Sequence, residues 1–111
     1  MALVTNGAAA RQRAKIERFE LARYFDHIQV EGEFGAGKPD TRVYAHVLER
    51  LGASPQESMM VGDNFACDVV GPLVFGMRAA WVNPSGKVSP LAAPRPYLTL
   101  RCVLELADHL A

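Results

Sequence analysis

The sequence predicts an α/β fold in which a parallel sheet is flanked by helices. Two observations carry that prediction. Short apolar runs alternate with helix-periodic runs along the 111 residues, which is the order that βαβ units impose on a parallel sheet. One short run, Ser58-Met59-Met60-Val61-Gly62, is continuously apolar after its first residue, as a strand covered on both faces should be.

Ala2-Leu3-Val4-Thr5 opens the series as a brief strand that stops at the turn signal Asn6-Gly7. A helix follows over about Ala8 to Phe19, rich in the helix formers Ala, Arg, Gln and Lys. Ile28-Gln29-Val30 reads as a second strand, and Glu31 to Lys38 as a glycine-punctuated loop. Pro39 and Asp40 open the next helix, whose stripe is Val43, Val47, Leu48 and Leu51 and whose end is marked by Gly52. The third strand runs into Asp63-Asn64, and a helix from Asp68 to Phe75 ends at Gly76. Pro72 lies about a turn inside that helix, so a distorted first turn is expected. Ala79 to Val82 forms the fourth strand. Ser85 to Pro96, with Pro90, Pro94 and Pro96, is an irregular loop. Tyr97 to Leu100 adds a short edge strand and Arg101 to Leu110 a last helix.

Composition narrows the function classes. The length suits one domain, residues 1–111, with a single core. Twelve basic residues balance twelve acidic ones, which argues against a nucleic-acid surface or a polybasic membrane patch. No run reaches the roughly twenty apolar residues of a membrane helix, and the N-terminus has no signal-peptide pattern. Cys67 and Cys102 lack metal-type spacing and read as free thiols of a cytoplasmic protein, with a disulfide as the alternative. His27, His46 and His109 show no ligand spacing and read as surface or packing residues. Trp81, Met59, Met60 and Met77 read as core.

In a parallel α/β sheet the ligand lies beyond the C-terminal ends of the strands. That singles out Thr5-Asn6-Gly7, the loop ending at Lys38, and Asp63-Asn64. A hydroxyl, an amide side chain and unpaired backbone N–H groups at a helix start can hold an anion; the plainer reading is a strand threonine followed by a loop. Lys38, fixed by Pro39, could pair with a carboxylate and a phosphoryl oxygen together, or could be an exposed loop lysine. Asp63 at a strand end and Asp68, five residues on, could converge on a hard divalent ion such as magnesium. The alternative makes Asp68 an ordinary helix N-cap.

Taken in order, Leu3-Val4-Thr5-Asn6-Gly7, Gly37-Lys38-Pro39-Asp40 and Val61-Gly62-Asp63-Asn64 through Asp68 resemble motifs II, III and IV of the haloacid dehalogenase-like (HAD) superfamily, in its phosphatase branch. Gly76-Met77-Arg78 and Trp81-Val82-Asn83-Pro84 look like the stretch that follows motif IV. The resemblance implies a Rossmann-like fold and hydrolysis of a small phosphorylated substrate through an aspartyl-phosphate, with Mg2+ as cofactor. It implies that Thr5, with Asn6 and Gly7, binds the phosphoryl group, that Lys38 neutralises charge beside the nucleophile, and that Asp63 and Asp68 hold the metal. The family's first motif, Asp-x-Asp, occurs nowhere in this sequence. The expectation is therefore a HAD-like core that is incomplete, with the first core strand and the cap absent. Such a chain would be inactive alone and would partner its missing N-terminal half or a second copy. Haloacid dehalogenation and a non-catalytic fragment or binding module are the alternatives.

Overall fold

The computed structural model describes residues 1–89 and 94–110. The chain divides into two compact units, Met1–Ser54 and Pro55–Ala111.

In the first unit β1 (Ala2–Thr5) pairs in parallel with β2 (His27–Val30), with Thr5 opposite Val30. Helix α1 (Ala9–Arg18) connects them and buries Ile16. The segment read as a glycine loop begins instead with a short helix, α2 (Glu31–Phe34). Two acidic residues in its first turn suit the positive end of the backbone dipoles, and its glycines fall at the second position and just past the end. Arg13 of α1 grips Glu33 of α2 through two hydrogen bonds of 2.7 and 2.6 Å.

Helix α3 (Thr41–Leu51) starts one residue after Asp40, whose carboxylate accepts the Arg42 N–H at 2.9 Å. Its buried face is Val43, Tyr44, Val47 and Leu48. Tyr44 joins the expected stripe and Leu51, on the same face at the last position of the helix, is only half-buried.

The second unit holds β3 (Met59–Gly62), β4 (Arg78–Val82) and β5 (Leu98–Leu100), all parallel, in the order β3-β4-β5. The helix between β3 and β4 starts earlier than its sequence suggests. A π-helical stretch, Phe65–Val70, precedes α4 (Gly71–Phe75), and Pro72 sits in the first turn of α4. Pro72 has no N–H to give, so a widened turn before it accommodates the lost bond. Val69, Ala79 and Trp81 form the buried cluster, with Phe65 and Leu73 packed on it. The last segment winds as a 3-10 turn, Val103–Leu106, into α5 (Ala107–Leu110). Of the proline-rich loop, Pro90 lies outside the described residues. No helix among the described residues is long and apolar enough to cross a membrane. Both cysteines are free thiols.

Candidate functional site

The sequence-predicted residues fall into two groups, one in each unit. In the first unit, β1 and β2 are in register, so the polar residues that follow them emerge at one level. Thr5 ends β1, and its hydroxyl makes only a long contact, 3.4 Å, to the Asn6 carbonyl. Asn6 uses its side chain twice on Lys38. Nδ2 donates to the Lys38 carbonyl at 2.9 Å, and Oδ1 accepts the Lys38 N–H at 2.8 Å. An amide paired with a backbone amide in both directions fixes its own orientation. It also ties the Lys38 backbone to the end of β1 across 32 residues of sequence.

Gly7 departs from expectation. Its N–H was expected to be unpaired, but it donates to Glu31 Oε1 at 2.8 Å. Its backbone φ of +124° is one that side chains rarely permit. Glu31 is the residue that the sequence reading missed. The signal was available: by the register it follows β2 as Asn6 follows β1, and a carboxylate is the natural partner of an N–H at a helix entry. Its other oxygen lies over Gly37, where a Cβ would collide with it and crowd Asn6 Oδ1. Gly37 is therefore the residue that lets Glu31, Asn6 and the Lys38 loop pack together.

In the second unit, Asp63 follows β3 and is exposed, while Asp68 is 4% exposed. The helix cap is Asn64, whose Oδ1 accepts the Cys67 N–H at 3.0 Å. Asp68, for which an ordinary N-cap was the alternative to a metal ligand, lies inside the π-helical stretch, and its Oδ2 accepts the Asn64 N–H at 3.1 Å. This bond brings the Asp68 carboxylate beside the Asp63–Asn64 peptide. A Cβ on Gly62 would overlap that carboxylate, so the glycine before Asp63 makes room for Asp68. Trp81 adds a fixed point: its indole N–H donates to the Asp63 carbonyl at 3.1 Å while its ring meets Phe65 edge to face. A cleft of about 570 Å³ beyond β4 and β5, lined by Asn83, Ser85, Thr99 and Arg101 among others, includes neither aspartate.

The donor set in this unit suits magnesium. Both side chains offer oxygen, and among the described residues no cluster of three or more His, Cys, Asp or Glu side chains could hold a metal. Magnesium takes one or two protein carboxylates and keeps several waters. A zinc site would ask for more nitrogen or sulfur.

Residues 1–76 match the haloacid dehalogenase-like hydrolases. The mouse N-acylneuraminate-9-phosphatase is 39% identical over 105 residues, which is 94% of this chain and 42% of that protein. Among solved structures, the HAD-hydrolase YfnB of Bacillus subtilis, bound to magnesium, superposes with a TM-score of 0.91 at 27% identity, covering 98% of this chain and 48% of that one. The 2-haloacid dehalogenase of Pseudomonas syringae superposes with a TM-score of 0.80 at 30% identity, covering 86% and 41%. The chain thus spans less than half the length of these relatives.

Proposed function

This chain belongs to the haloacid dehalogenase-like hydrolases, and from that premise we propose that it carries the phosphoryl-binding and metal-holding groups of a magnesium-dependent phosphatase for small phosphomonoesters. The observation that carries this reading is Asp68, a carboxylate 4% exposed and held at the end of β3 by a backbone N–H. That place, just past the C-terminal end of a parallel strand, is where ligands of such sheets bind. The resemblance of the chain to a curated phosphatase supports the same choice.

In this reading Thr5 donates its hydroxyl to a phosphoryl oxygen. Asn6 holds the Lys38 backbone, so that the ammonium neutralises charge as the phosphoryl group moves. Asp63 and Asp68 hold magnesium, Asp68 directly or through water. Bound there, the ion would supply positive charge. These are positioning and electrostatic roles, which make up most of the catalysis of phosphoryl transfer. The nucleophile belongs to an Asp-x-Asp segment, and no such motif is present in this sequence. The partner this reading requires is that segment, from the same protein or from a second chain, and the compartment is the cytoplasm.

Calorimetric titration of the chain with magnesium tests the reading. We expect weak binding that is lost in both Asp63→Asn and Asp68→Asn. Tight binding unaffected by either substitution would overturn it. The similarity to a haloacid dehalogenase supports a second reading, in which Thr5 and Lys38 serve a reaction without metal. Absence of any magnesium binding would favour that one.

A further inference from the structure

The first unit brings together two histidines that are 19 positions apart in sequence. His27 is the first residue of β2, at the end remote from Val30 and its partner Thr5. His46 lies on α3. Their ring centres are 5.7 Å apart with planes at 65°, and both border a cleft of about 170 Å³. The Phe34 ring lies 4.8 Å from that of His46, tilted by 34°, and restrains its plane.

The protonation pattern of His27 can be worked out from its neighbours. Gln29 is 4% exposed and its Nε2 donates to the Val43 carbonyl at 3.1 Å. Turning that amide over would set two oxygens against each other, so the orientation is fixed. Gln29 Oε1 then faces His27 Nε2 at 3.1 Å. An amide oxygen only accepts, so Nε2 carries the proton and the lone pair of neutral His27 is on Nδ1. A ring N–H tied to an oxygen, with the other nitrogen left basic, is the arrangement that surrounds metal-ligating histidines. Two imidazoles on one tetrahedral ion, at metal–nitrogen distances of about 2.0–2.1 Å, place their centres roughly 5 Å apart. The observed 5.7 Å is a small adjustment away.

We propose that His27 and His46 form a two-imidazole site for a borderline divalent ion (zinc, nickel or copper) with water completing the coordination. Glu33 borders the same cleft, but its carboxylate is taken by Arg13, which also holds its pKa below the usual value. The donors are therefore neutral nitrogens. Such a set selects imidazole-favouring ions over magnesium, which prefers oxygen. This site is separate in chemistry and in residues from the aspartate pair of the second unit.

The test is a copper titration of the 111-residue chain in excess magnesium, read by calorimetry and electron paramagnetic resonance. One copper per chain with a two-nitrogen signature is expected. His27→Gln and His46→Gln should each weaken binding at least tenfold. Binding unchanged in both variants, or a one-nitrogen signature, overturns the proposal. Imidazole nitrogen NMR of the unsubstituted chain gives an answer that does not depend on the variants folding. Zinc should perturb the rings of His27 and His46 and leave His109 in place; perturbation of His109 alone would refute the site.

Discussion

Two glycines and one asparagine carry more of this site than their chemistry suggests. Gly62 and Gly37 are placed where a Cβ would strike Asp68 and Glu31. Overpacking a tight position typically costs about 1–3 kcal/mol. Gly62→Ala is therefore expected to lower stability by that amount in denaturant unfolding and to abolish the weak magnesium binding. Asp68→Asn should abolish binding while keeping the fold, because its amide oxygen can still accept the Asn64 N–H. Equal binding in Gly62→Ala and the parent would show that the Asp68 carboxylate does not need its place over the strand. Asn6 gives a sharper contrast. Asn6→Asp keeps an acceptor for the Lys38 N–H but sets an oxygen against the Lys38 carbonyl. It should cost about 1–3 kcal/mol and weaken binding of inorganic phosphate as much as Asn6→Ala does. If Asn6→Asp binds phosphate as the parent does, the brace is irrelevant to anion binding.

At the scale of elements, α3 is the support of the first unit, and its start is charged. Asp40 accepts from the Arg42 guanidinium and, secondly, from the Arg42 backbone N–H, which together hold its carboxyl down at about 2, against an ordinary value of 3.8. A group with a depressed folded-state pKa stabilises the fold above its unfolded pKa. That contribution is lost as pH falls through the folded value. Thermal unfolding should therefore show an acid limb between about pH 4 and 2 that flattens in Asp40→Ala, with a smaller difference in high salt because the pair is exposed. An identical acid limb in both proteins would remove Asp40 from the account. Elements were the most legible part of the sequence. The alternation of apolar runs marks the five strands of the described residues, and the periodicity at 43, 47 and 48 marks α3. Two things were not legible. The sequence predicts a helix from Asp68 to Phe75, whereas Asn64 caps a π-helical stretch that begins at Phe65 and runs into α4, where Pro72 lacks an N–H to give. The pairs His27–His46 and Gly7–Glu31 join residues on different elements, and no periodicity within one element can announce such a meeting.

For the whole molecule, two of the family motifs were readable because each follows a strand, where a polar residue interrupts an apolar run. Lys38 instead follows α2 and was marked by the glycines before it and by Pro39. Each parallel ladder has a site strand at its margin: β1, which ends in Thr5, and β3, which leads into Asp63. In the proposed function Thr5, Lys38, Asp63 and Asp68 bind, neutralise and hold, and the attack on phosphorus falls to the Asp-x-Asp segment. The central claim is that this chain supplies the assisting half of a phosphatase and leaves the nucleophile to an Asp-x-Asp segment. An aryl phosphate assay on the purified 111-residue chain, with and without magnesium, tests that claim most directly. The account predicts no magnesium-dependent hydrolysis. A magnesium-dependent rate that disappears in Asp63→Asn would contradict it, because the chain would then contain its own nucleophile.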